Sequence, residues 1–287
     1  MDYCIRATAA SGRMRIFAAA SRDLVEKSRI IHDTSPIATA ALGRLLTAAS
    51  IMGLMMGNDE DLLTASIRGD GPIGGLLCCA DGLGRVRGYA HNPGVNLPPS
   101  PAGKLDVGGA IGRGMITITR DTGLKEPYSG TLQLVSGEIA EDIAYYFAKS
   151  EQIPTVVALG VLVERDCSVK QAGGFFIQLL PGADDSLIDA LEAKIAAIPP
   201  VTAMLDGGQT SEQIIHNICS DWDYEITENH PICYQCNCSR HRAEAALCAI
   251  DPAQLQTIIT EDKSAQIDCH FCNEKYNFTE EDLRGLL

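Results

Sequence analysis

Two short cysteine pairs near the C-terminus constrain this chain more than any other feature. They read Cys233-Tyr-Gln-Cys236-Asn-Cys238 and, about thirty residues on, Cys269-His-Phe-Cys272. They fall in the last 58 residues, 230–287, a length that buries too little apolar surface to be comfortably stable alone. A staple is required. The chain holds 11 cysteines, an odd number, so complete pairing is impossible. The N-terminus MDYCIRATAASGRMRIF lacks the basic and apolar regions of a secretory signal. No uninterrupted apolar run suggests a membrane span. The expected compartment is therefore the cytoplasm, where structural disulfides are rare and clustered cysteines serve metal binding or thiol chemistry.

Zinc takes four tetrahedral sulfur or nitrogen ligands, and two short-spaced pairs supply them from two loops. Spacing leaves the choice open. Cys233/Cys236 with Cys269/Cys272 makes a CxxC…CxxC site and is marginally favoured by spacing alone. Cys236/Cys238 with Cys269/Cys272 makes a CxC…CxxC site. His230, His241 and His270 are weaker candidates. Between the pairs, Ser239–Ile250 reads as a helix, Asp251-Pro252 starts another, and Thr279 with Asp282 starts a short terminal one. The whole resembles a zinc ribbon with inserted helices.

The rest of the chain predicts an α+β fold. Hydrophobic residues make up 46%, enough for a sizeable core. Tyr3–Ala9 and Arg13–Ala19 flank Ser11-Gly12 as a hairpin. A nearly all-apolar helix runs from Pro36 to about Met56 and should be buried. Strand-like runs follow at Leu62–Arg68, Ile73–Ala80, Arg85–His91, Met115–Arg120 and Thr131–Val135. A helix spans Glu138–Lys149, then strands span Val156–Val163 and Ala172–Leu180. These 180 residues form the expected large N-terminal domain of mixed sheet and helix. Cys78, Cys79, Cys4, Cys167, Cys219 and Cys248 read as buried thiols, and Met52, Met55 and Met56 as core packing. Glu138, Glu141 and Asp142 favour a helix N-terminus and are not read as catalytic.

Charge marks a third region. The net charge of −14 is uneven: residues 181–229 carry one base, Lys194, against ten acids. Asp184 caps a helix bearing Leu187, Leu191, Ile195 and Ile198, which Pro199-Pro200 stops. Thr210 with Gln213 forms a capping box before Ile214, Ile215, Ile218 and Trp222. Such short helices are marginal in isolation and must dock, while the uncompensated charge opposes compaction. The expectation is a docked, metastable acidic helical linker between the N-terminal domain and a C-terminal zinc-binding module at 230–287. The acidic balance disfavours nucleic acid as a partner, and no GxxxxGK[ST] loop for ATP is present.

The tail CNC…CHFCNEKYNFTEEDLRGL resembles that of the redox-regulated heat-shock protein 33 family of bacterial chaperones. So do Gly71-Pro72-Ile73-Gly74, GKLDVGGAIGRG at 103–114, LVSGEIAEDIAYYFAKSEQIP at 134–154 and GGFFIQLLPG at 173–182. The resemblance covers nearly the whole chain. It implies that Cys236, Cys238, Cys269 and Cys272 hold one Zn²⁺ per chain in the reduced form, with Cys233 an extra thiol. It implies disulfides Cys236–Cys238 and Cys269–Cys272 on oxidation, with zinc release and unfolding of tail and linker. The expected function is that of an ATP-independent holdase and not an enzyme. Oxidised, dimeric protein would bind unfolding clients through exposed apolar surface.

Overall fold

The computed structural model describes residues 1–101 and 103–287, and these divide into two units, Met1–Tyr234 and Gln235–Leu287. The first begins with the expected hairpin. Strands β1 (Tyr3–Ala9) and β2 (Met14–Ala20) pair antiparallel across a turn in which Ala10, Ser11 and Gly12 all have positive φ. Helix α1 (Arg22–His32), which the sequence reading left unassigned, leads into α2 (Pro36–Leu54). Ser35 caps α2 by accepting the Ala38 N–H, and Pro36 occupies the first turn, where no amide partner is missed.

Then follow β3 (Leu62–Gly69), β4 (Gly75–Asp81), β5 (Arg85–Ala90), α3 (Val107–Ile111), β6 (Gly114–Asp121) and β7 (Tyr128–Gln133). Helix α4 (Ala140–Tyr146) continues into a π-helical turn over Phe147–Glu151, followed by β8 (Thr155–Val163) and β9 (Val169–Leu179). Asp142 is buried and accepts backbone N–H groups from Val135, Ser136 and Ile139, so this carboxylate serves the helix start.

The acidic region forms α5 (Asp185–Ala197), α6 (Val201–Asp206) and α7 (Ser211–Cys219). Asp184 caps α5, and the Thr210–Gln213 box caps α7. Unexpectedly, the chain then returns to the core as β10 (Tyr224–Pro231) and β11 (Cys233–Tyr234). One sheet has the order β10-β1-β2-β9-β8; a second has the order β11-β5-β4-β3-β6-β7. The sheet residues thus run to 234, past the 229/230 boundary expected from sequence.

Strand alternation gives the first sheet two apolar faces. Phe17, Ala19 and Phe176 belong to the core built around α1 and α2, which also takes in the second sheet. Ile5, Ala7, Met14, Ile16, Phe175 and Ile177 face the other way, into a separate cluster with Leu187, Leu191, Leu205, Ile214, Ile215 and Ile218 of α5–α7. Two glycines allow α6 to seat closely. A Cβ at Gly160 would lie 2.5 Å from Thr202 Cγ2, and one at Gly173 2.6 Å from Leu205 Cδ1.

Helix α2 has the length and composition of a membrane span, but 89% of that window is buried within the unit, as expected of a helix that is apolar nearly all round. Its apolarity is that of a core helix between two sheets. The second unit contains α8 (Arg240–Cys248), α9 (Pro252–Glu261), the antiparallel hairpin β12 (Ser264–Asp268) and β13 (Lys275–Thr279), and α10 (Glu280–Arg284). Its core is small: Ala243, Leu247, Leu255, Ile259, Phe278 and Leu283.

Candidate metal and thiol centre

The second cysteine pair sits in the loop closing the β12–β13 hairpin. Cys269 N–H donates to Glu274 O, and the Cys272 and Asn273 N–H groups fold back onto Cys269 O. Asn273 supplies the left-handed conformation (φ 58°) that lets the chain turn back into β13. The first pair lies just before α8, whose cap is Ser239, accepting the Arg242 N–H.

Arg240 fixes that loop against the hairpin. Its guanidinium stacks 4.5 Å from the Phe278 ring centre, donates 2.8 Å to Asn277 O, and pairs with Asp282 at 3.0 Å. Sequence reasoning passed over this residue. The only available signal was a base two residues after the CxC in a unit poor in bases.

The Sγ atoms of Cys236, Cys238, Cys269 and Cys272 all lie within 4.8 Å of one another. Cys236 is 3.6 Å from Cys269, and Cys238 is 3.3 Å from Cys272. Zn–S bonds of ~2.3 Å in a tetrahedron place sulfurs about 3.8 Å apart, so the donor set suits a four-coordinate metal ion. Cys233 is not in this group; it is exposed in β11 of the first unit. Of the candidate histidines, His230 pairs with Glu228 and His241 with Glu244. No described cysteine is in a disulfide.

Cys236 and Cys238 are electrostatically unlike. Burial pushes the Cys236 thiol up to about 11. Burial acts the same way on Cys238, but the Tyr276 hydroxyl, donating at 3.1 Å, and the neighbouring thiols outweigh it and hold Cys238 below the usual thiol value. Tyr276 was not singled out in the sequence; it lies on β13 and belongs to the support of the centre.

The remaining cysteines divide by location. Cys4, Cys78 and Cys219 are buried, as expected. Cys79 and Cys167 are half-buried, and Cys248 is exposed. Strand alternation turns Cys79 away from the core that holds Cys78. Cys248 is the last residue of α8, one position beyond the core residue Leu247.

The Hsp33 protein family matches residues 2–279. The 33 kDa chaperonin of Lachnoclostridium phytofermentans is 50% identical over 286 residues, spanning 100% of this chain and 98% of that one. That of Clostridioides difficile is 48% identical over 287 residues, spanning 100% and 98%. The crystal structure of the Thermotoga maritima 33 kDa chaperonin aligns with a TM-score of 0.92 and 35% identity, covering 99% of this chain and 97% of that chain. With this family match over nearly its whole length, the chain belongs to the Hsp33 family of chaperones.

Proposed function

We propose that this chaperone is a redox-controlled, ATP-independent holdase in which the four-thiol centre governs whether the α5–α7 connector stays docked. The observation that carries the reading is the gathering of Cys236, Cys238, Cys269 and Cys272 within 4.8 Å in a unit whose core is too small to be comfortably stable alone. A zinc ion bound there, one per chain, would hold the sulfurs as thiolates and tie the two loops together, a contribution of ~10–16 kcal/mol in small zinc modules.

Oxidation removes that donor set. With hydrogen peroxide as oxidant, each disulfide would form as two thiolates give up two electrons; the peroxide, taking two protons from solvent, is reduced to two waters, and the metal loses those two ligands. The proposed pairs are Cys236–Cys238 and Cys269–Cys272. Every sulfur pair is close in the folded centre, but only these stay adjacent once the loops part. The ring closed by Cys236–Cys238 is very tight, which favours ready reduction.

The chain continues directly from β10 and β11 into the first cysteine loop. Strand β10 lies at a sheet edge, and its pairing with β1 shifts register between Arg6 and Ala7. Disorder starting in the loop would therefore run back along this edge strand to α7. Undocking of α5–α7 would bare the sheet face of Ile5, Met14, Ile16, Phe175 and Ile177. A contiguous apolar face of this kind binds other exposed apolar chains.

The partners proposed are unfolding client proteins and, in the oxidised state, a second copy of this chain. Nucleic acid, membrane and ATP have no part, and the site of action is the cytoplasm. The test is light scattering from a heat-aggregating protein. Peroxide-treated chaperone should suppress scattering, the reduced zinc-loaded form should not, and reductant with zinc should reverse the effect. Equal suppression by both forms, or by neither, would reject redox control.

A further inference from the structure

The motif LVSGEIAEDIAYYFAKSEQIP contains a π-helical turn that the redox account does not use. π-Turns are rare and are frequent at functional sites. Phe147–Glu151 forms this one, and Gln152 after it is held at φ 57°. The turn borders a cavity of about 60 Å³ in the first unit, which Tyr146, Phe147, Glu151 and Ile153 line together with Met52, Met55, Met56 and Leu63. Arg15, Arg120 and Gln178 complete the lining.

The charges in this cavity do not balance. Arg120 makes a two-pronged contact with Glu151, whose Oε1 also accepts the Tyr146 hydroxyl at 2.7 Å. That pair is neutral. Arg15 has no carboxylate partner among the described residues. Its Nε and one terminal nitrogen both donate to Oε1 of the buried Gln178, its register partner across β2 and β9. Its other terminal nitrogen has no acceptor among the described residues. Burial and the neighbouring Arg6 both act against its charge, and Arg6 is itself engaged with Glu228. The cavity is thus lined by one guanidinium that has no carboxylate partner and lies 5.7 Å over the Phe17 ring, one neutral ion pair and several apolar or thioether side chains.

We infer that this cavity binds a small monoanion, a short aliphatic carboxylate of one to three carbons, with its carboxylate on Arg15 and its alkyl end among Met52, Met56 and Phe147. Arginine presents a planar fork that matches a carboxylate. The methionines offer an adaptable apolar wall. A cavity that accepts benzene measures about 150 Å³, so the present volume limits the ligand to a few heavy atoms. Arg15 and Gln178 lie on the sheet face opposite Ile16 and Ile177, so the ligand would brace the β2–β9 pair from behind without obstructing the connector side.

The test uses the full reduced chain. Its Tm is followed against sodium acetate, with sodium chloride and neutral acetamide as comparators at matched ionic strength. Acetate well above its Kd should raise Tm by about 2–4 °C, and acetamide should not. Saturation transfer from protein methyl groups to the acetate methyl provides a direct readout of contact. Arg15→Gln should abolish both signals whatever its own Tm. Arg15→Lys, which keeps the charge but loses the fork, should retain a reduced response if the glutamine variant fails to fold. An equal shift with chloride, an undiminished response in Arg15→Gln, or no saturation transfer to acetate would overturn the assignment.

Discussion

Under the proposed mechanism, replacing Ile215 by alanine should give a chaperone that is active without oxidation. Ile215 lies on α7, has no exposed surface, and packs in the cluster that joins the connector to the β1–β2–β9 face. Truncating a fully buried isoleucine costs about 2–5 kcal/mol, counting lost transfer energy and the cavity left behind. The cavity exists only while α7 is docked, so this cost falls on the docked state. Each ~1.4 kcal/mol is a tenfold change in an equilibrium, so the undocked fraction should rise roughly 30-fold to more than a thousandfold. The four-cysteine centre of the second unit is untouched. Reduced, zinc-loaded Ile215→Ala should therefore suppress client aggregation without oxidant, with zinc content still one per chain. The paired measurements are light scattering and proteolysis of residues 185–219. If the connector becomes protease-sensitive while scattering stays at the parent's reduced level, the surface beneath the connector is not the client-binding surface.

Three further outcomes follow from the same contacts. Cys238→Ser removes one of four sulfurs and should cut bound zinc well below one per chain by elemental analysis, with loss of structure in 235–287; full zinc retention would remove Cys238 from the ligand set. Arg240→Ala loses the stacking on Phe278, worth ~0.5–1 kcal/mol at exposed sites, and a hydrogen bond of ~1 kcal/mol. It should hasten zinc transfer to a chelator while leaving the first unit's Tm unchanged, and an unaltered transfer rate would count against the clamp. Acid should loosen the connector. The Ser186 hydroxyl, the Leu187 N–H and Arg13 hold the Asp184 carboxyl below its ordinary value, and Lys194 does the same for Asp221. Groups with depressed folded values contribute stability above their unfolded value, near pH 4, and lose it as pH falls through the folded one. Protease sensitivity of 185–219 should rise below about pH 4, and a flat profile down to pH 3 would show that these contacts do not hold the connector.

Much of the fold was legible because it is written in local chemistry. Ser35-Pro36, Asp184, Thr210–Gln213 and Thr279–Asp282 each mark a helix start that the structure places at that residue. What escaped depends on distant partners. Strand β10, Tyr-Glu-Ile-Thr-Glu-Asn-His-Pro, is mostly exposed and ends in proline. Its pairing with β1 spans more than 200 residues, so no local pattern announces it. Helix α1 follows Ser21, whose hydroxyl pairs with Thr47 of α2 and not with the helix start, so the lone serine carried no capping pattern of the kind seen at Thr210–Gln213. The cysteine centre was legible as chemistry but not as a unique set, because Cys233 and Cys238 flank Cys236 at equally usable spacings. The tertiary structure separates them by carrying Cys233 into β11, beside β5. The two faces of the first sheet were hidden for a similar reason: alternation shows that both are apolar, but not that the acidic helices cover one of them.

The most direct test of the account is amide hydrogen exchange on the reduced zinc-loaded protein and on the peroxide-treated protein holding its client. The account predicts protected amides in α5–α7 and in 235–287 before oxidation. Both segments should lose that protection after oxidation, while β3–β6 remain protected. A client-holding form in which α5–α7 keep their protection would contradict it.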